Sequence, residues 1–168
     1  KRVKIGVACM ASFPSRNPIV LAYQWASLDV LSGGRMIMGA CMGGPISAQE
    51  HRAEYRNMNI RGVDRALRLE ENITILRKLW TEDRVNFEGQ FHRLENAFIE
   101  PKPIQSPPPI WVISNPKLGT GKPHIIERSL RRVAQMGDGW MTTANPTNDF
   151  KELRRRVLEY AGDYDRSF

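Results

Sequence analysis

The chain's 168 residues carry a formal charge of +7, and 41% hydrophobic with 26% charged residues excludes disorder and leaves room for a sizeable core. Two cysteines, Cys9 and Cys41, make no disulfide framework and match no metal-ligand spacing, so both are expected reduced and no metal is expected. No apolar run reaches the length of a membrane span and no signal peptide opens the chain, which sets the expectation of a soluble cytoplasmic protein with no membrane partner.

From the N-terminus, Arg2 to Cys9 (RVKIGVAC) reads as a first strand. Asn17-Pro18 then supplies an N-cap and a first helical residue, and the helix to about Leu31 presents Leu21, Ala22, Trp25 and Leu28 at helical spacing. Gly33-Gly34 ends that helix. The continuous apolar run Met36 to Met42 suits a strand buried on both faces, and Gly43-Gly44-Pro45 stops it. Ser47 to Glu50 matches a capping box, which starts a short helix over 48–57 with His51 and Tyr55 on one face.

Gly62 to Trp80 is the clearest helix, with Val63, Ala66, Leu67, Ile73, Leu76 and Trp80 as its apolar stripe. Glu70 falls on the same side and needs a partner, an arginine or a loop backbone. Residues 84–99 read as a hairpin, and the prolines at 101, 103, 107, 108 and 109 enforce an extended connector. The excursion over about 83–108 is an insertion before the third core strand, Ile110 to Ser114. A loop, NPKLGTGKP, leads to a helix from His124 to Met136. A fourth strand, Trp140 to Thr143, precedes a last helix capped by Thr147 or Asn148. Strands alternating with helices imply a parallel sheet in a single domain.

The basic surplus raises nucleic acid as a partner, but the charges are spread along helical stretches without aromatic interleaving. They read as solvated helix faces, and no nucleic-acid partner is expected. In α/β folds the functional groups lie beyond the carboxyl ends of strands. The loop from Asn115 through Gly121 delivers the chain to a helix N-terminus, which suits either a phosphate site or a plain surface loop. His51 is the candidate acid/base group, since imidazole titrates near neutral pH. A packing role for it stays open.

Four blocks, ASLDVLSGGRMIMG, RGVDRALRLEENITILRKLWTED, NFEGQFHRLENAFIEPKPIQSPPPIWV and RRVAQMGDGWMTT, occur in the order of the bacterial luciferase-like flavin-dependent monooxygenases and oxidoreductases, which the chain closely resembles. The resemblance implies a (β/α)8 TIM barrel, of which these residues supply four βα units, family strands three to six. It implies a flavin-dependent monooxygenase using reduced FMN and dioxygen on a small-molecule substrate, with a separate flavin reductase as partner. The alternatives are hydride transfer with a deazaflavin coenzyme, or a non-catalytic flavin-binding half-barrel.

The resemblance also places cofactor contacts at Ala8, Cys9 and Met10, often with a non-prolyl cis peptide, at Gly39, Ala40 and Cys41 beneath the ring, and at Ser114, Asn115 and the Gly121 turn for the phosphate. His51 and Tyr55 match a family pair beside the flavin, with Glu54 where the pattern has arginine. Cys9 and Cys41 are read as buried packing. A half-barrel leaves edges open and Ile5, Val7, Ile37 and Val112 uncovered, so a homo-oligomer, or a longer chain, is expected.

Overall fold

The computed structural model describes residues 3–44, 48–143 and 145–167. The capping-box residue Ser47, the stop at Pro45 and the first strand's Arg2 lie outside them. The chain divides into two compact units, Lys1–Pro109 and Ile110–Phe168.

In the first unit β1 (Ile5–Met10) runs parallel to β2 (Met36–Cys41), with Ile5 opposite Met36 and Val7 opposite Met38. The register shifts before Met10 meets Ala40. Helix α1 (Pro18–Ser32) joins the two strands. The Asn17 side chain accepts from the Ile19 and Val20 amides, and Gly33, at φ 71°, closes the helix through bonds to the Asp29 and Val30 carbonyls. Of the expected stripe, Leu21, Ala22 and Trp25 are buried but Leu28 is exposed, and Asp29 takes its place inside. The reason is chemical: the Asp29 carboxylate accepts from the Met36 amide at 3.2 Å, the Gln105 amide at 2.8 Å and the Gln105 side chain at 2.7 Å. That knot ties the proline-rich connector to the α1–β2 turn.

Helix α2 (Gln49–Asn57) is followed by a 3-10 turn, Gly62–Asp64, and then α3 (Arg65–Thr81). The turn breaks the helical register, so Val63 and Leu67 are exposed. The buried face is Leu69, Asn72, Ile73, Ile75, Leu76, Leu79 and Trp80. The antiparallel hairpin β3 (Val85–Glu88) and β4 (Arg93–Ala97) packs by its turn onto α3. There Glu71, next to the half-buried Glu70, accepts from the amides of Gln90, Phe91 and His92. Among the described residues the cis peptides are Glu100–Pro101 and Ser106–Pro107; the bonds from Ala8 to Met10 are not among them.

β1 is solvent-facing along most of its length. Ile5 and Val7 are each 43% exposed and only Met10 is buried, as expected for an edge left open. Ile37 is half-buried, and Val112, expected open, is buried.

In the second unit β5 (Ile110–Ile113) runs parallel to β6 (Gly139–Met141), and the helices are α4 (Pro123–Met136) and α5 (Thr147–Gly162). Thr147 is already helical and Pro146 holds the cap position, so neither expected side chain caps α5. Gly139 is required because a Cβ there would lie 2.6 Å from the Trp111 indole nitrogen. The Ile110 amide donates to the Asp138 carboxylate at 2.9 Å, and Arg166 reaches the same carboxylate at 2.8 Å.

Candidate functional site

In the first unit the chain beyond β2 is fixed by side chains from two helices. The Tyr55 hydroxyl donates to the Met42 carbonyl at 2.8 Å, and Arg65 donates to the carbonyls of Met42 (3.1 Å), Gly44 and Gly62 (2.9 Å). The Arg65 guanidinium also stacks 5.1 Å from the Tyr55 ring centre. Tyr55 is 3% exposed. Gly43, at φ 79°, allows this approach, because a Cβ would strike the Tyr55 hydroxyl and sit 3.0 Å from the Ala11 carbonyl.

His51 packs its Nε2 edge over Gly44, where a Cβ would fill the space of the imidazole. Its Nδ1 lies 3.7 Å from the Glu54 carboxylate. The structure therefore brings His51 and Tyr55 together around Met42–Gly44, and Glu54 serves as the imidazole's neighbour.

At the other end of the candidate list, Met10, Gly39 and Ala40 are buried while Ala8 is exposed. Cys9 is exposed and Cys41 half-exposed, which overturns their reading as buried packing. Each stands near a strand end, where no later helix of this unit covers it fully. Partial burial of its sulfur, and then Cys41 beside it, push the Cys9 thiol up to about 11.

A groove of about 740 Å³ opens beside Tyr55, faced by Arg52, Arg56 and Arg61 along with Asn59 and Ile60. Arg61 is engaged by Asp64 at 2.7 Å. Among the described residues no group of three or more His, Cys, Asp or Glu side chains could hold a metal ion.

In the second unit Ser114 is buried. Its hydroxyl bonds to that of Ser129, and its carbonyl accepts from the Trp140 indole at 3.0 Å. The Asn115 side-chain oxygen accepts from the Thr143 amide (2.7 Å) and the Thr142 hydroxyl (3.1 Å), joining the ends of β5 and β6. Gly121 (φ 68°) lies in the exposed loop before α4, whose first turn has no side-chain cap. Arg65, Asp29 and Asp138 are the positioning groups that sequence reasoning missed. The signal available was a polar residue inside an otherwise apolar or glycine-rich block.

All 168 residues match the luciferase-like monooxygenase family. The chain belongs to that family. An F420-dependent glucose-6-phosphate dehydrogenase of Gordonia bronchialis is 31% identical over 170 residues, covering 100% of this chain and 46% of that protein. An F420-dependent hydroxymycolic acid dehydrogenase of Mycobacterium tuberculosis is 28% identical over 82% of this chain and 34% of its own length. The chain thus spans about half the length, or less, of these luciferase-like relatives.

Among solved structures, a monooxygenase from Streptomyces bottropensis superposes with a TM-score of 0.78 at 23% identity, over 99% of this chain and 47% of that one. An F420-dependent secondary alcohol dehydrogenase superposes at 0.76 and 20% identity, again over 99% and 47%. The fold is the α/β fold of luciferase-like TIM-barrel enzymes, about half of a barrel. No helix among the described residues is long and apolar enough to cross a membrane.

Proposed function

We propose that this chain is part of a deazaflavin-dependent oxidoreductase that moves hydride between coenzyme F420 and an alcohol carbon of a small, anionic substrate. This is the alternative expected from the sequence, preferred here over an FMN monooxygenase. The observation that carries it is the run of F420-dependent dehydrogenases among its sequence relatives, matched over 82% to 100% of the chain. The separate reductase expected for a monooxygenase has no part in this reading.

The residues present suit such a coenzyme. Ala8, Cys9, Gly39 and Cys41 give β1 and β2 ends without bulky side chains, fit to carry a flat ring. Taken by itself, the second unit offers Asn115 and the uncapped turn after Gly121 as polar groups for a phosphate. When bound, the coenzyme supplies the two-electron hydride acceptor or donor. His51 takes the proton of the substrate hydroxyl at Nε2, while its Nδ1 faces the Glu54 carboxylate at 3.7 Å. Tyr55 and Arg65 position the Met42–Gly44 segment over which His51 packs. The arginine-faced groove beside Tyr55 suits a phosphorylated substrate end, as in the sugar phosphate of the relatives' names.

Anaerobic mixing with oxidised F420 and glucose 6-phosphate tests the reading. Loss of the deazaflavin's visible absorption without dioxygen supports it, and His51→Ala slows that loss while leaving coenzyme uptake in place. Dioxygen consumption with reduced FMN, and none of this reaction with F420, overturns it. The open β1 face is proposed to be covered by further strands, of a second copy or a longer chain, which light scattering and intact mass distinguish.

A further inference from the structure

Helix α1 differs from the other helices in what it shows to solvent. Its 15 residues, PIVLAYQWASLDVLS, include one charged residue, Asp29, and that one is buried. The longer helices elsewhere carry ion pairs: Lys78 with Glu82 on α3, Arg131 with Glu127 on α4, Arg155 with Glu152 on α5. Yet α1 is open at Val20 (53% exposed), Tyr23, Leu28, Val30 and Leu31 (82% exposed). A helix that is apolar all round is one that is covered all round.

At 3.6 residues per turn, Val20, Ser27 and Leu31 stand opposite the buried Trp25 and Asp29, on the side turned away from the core of the first unit. Further strands and helices of a barrel lie beside a ring helix and leave that outward side uncovered. The Tyr23 hydroxyl donates to the Phe98 carbonyl at 3.2 Å, and the exposed Phe98 widens the apolar surface beyond the helix.

We propose that the outward face of α1 binds a second copy of this chain, α1 against α1, antiparallel about a two-fold axis near Trp25 and Ala26. The chain carries a formal +7, so a basic face would repel its own copy, whereas this one brings no charge to the contact. A two-fold contact also needs a surface that complements itself. With the axis there, Val20 of one copy faces Leu31 of the other, and Tyr23 faces Leu28. Gln24 then faces Ser27. Neither of these two side chains has a hydrogen-bond partner among the described residues, and across the axis the amide donates to the hydroxyl. Such a polar pair fixes the register of an otherwise apolar seam. The surface is separate from the open β1 edge, and the contact forms with either covering of that edge.

The full chain is followed by light scattering over a range of concentrations, and by circular dichroism, without coenzyme or substrate. The outcome is therefore independent of the proposed function. Val20→Lys sets a charge against Leu31, and Leu31→Glu sets one against Val20. Each is expected to halve the mass of the assembly with the helical signal unchanged, because both positions are exposed in the single chain. The double variant Val20→Lys/Leu31→Glu sets opposite charges face to face and is expected to restore the original mass. Leu67→Lys, at an exposed position of α3, is expected to leave the mass unchanged. A starting protein with the mass of one chain, single variants that keep the original mass, a double variant that stays at half, or Leu67→Lys that halves it would each overturn the proposal.

Discussion

Beyond β2 the chain is clamped by Tyr55 and Arg65, whereas beyond β5 it passes through a run, Gly119 to Ile125, that is exposed at every residue. Both segments contain glycines in the left-handed region, Gly43 at 79° in the first and Gly119 at 76° in the second. The shared backbone conformation serves different ends. Gly43 lets side chains press against the main chain, while nothing lies within 4 Å of a Cβ built on Gly119. A clamped exit can hold an imidazole at a fixed place, and an open loop can adapt to a ligand's phosphate; altering the first costs more stability than altering the second.

Removing the clamp has a large expected effect. Arg65→Ala deletes donors to three carbonyls and the cation over Tyr55, and should cost about 2–3 kcal/mol in denaturant unfolding, at the upper range for hydrogen bonds from a charged group. A loss below half a unit on that scale would show that the exit is held by something else.

The matched pair Gly43→Ala and Gly119→Ala sharpens the comparison. Each forces a Cβ into the left-handed region at about 1–2 kcal/mol. Gly43→Ala adds about 1–3 kcal/mol of overpacking against Tyr55 and the Ala11 carbonyl. Equal losses at the two positions would erase the distinction between the exits.

Local signals in the chain were legible and distant partners were not. Asn17-Pro18 and Gly33 announce the ends of α1 because capping is settled within a few residues. Asp29 is not legible as a buried anchor because its partner Gln105 lies far along the chain, and only the folded connector brings them together. The same holds for Glu71, whose acceptor role depends on where the hairpin turn lands; the need for such a partner was read at Glu70, one residue away.

On α3 the expected stripe holds at Ile73, Leu76 and Trp80 and fails at Val63 and Leu67, because the turn at Gly62–Asp64 is 3-10 and counting from Gly62 sets the wrong register there. At the candidate site, the His51–Tyr55 pairing follows from helical spacing alone. Tyr55's commitment to Met42 and the exposure of Cys9 depend on a strand exit and an irregular strand pairing that no periodicity encodes. The family blocks carried the barrel expectation, yet they left the cofactor open between FMN and a deazaflavin.

The smallest predicted effect concerns acid and the hairpin that α3 holds. Burial lowers the His92 pKa and the nearby Arg68 adds to it, against the opposing pull of Glu71. With the folded value below the unfolded one of about 6.5, the unfolded chain takes up the proton first as the pH falls. The hairpin's contribution is therefore present above that pH and declines in more acidic solution. His92→Gln should flatten stability between pH 7 and pH 5 (about the range in which histidine titrates), and an unchanged slope would remove His92 from this role.

The central claim is tested most directly by titrating the protein with oxidised F420 and, separately, with FMN, following the fluorescence of each. The account predicts saturable binding of F420 at lower concentration than FMN, weakened by Arg65→Ala. Saturable binding of FMN with no uptake of F420 would contradict it.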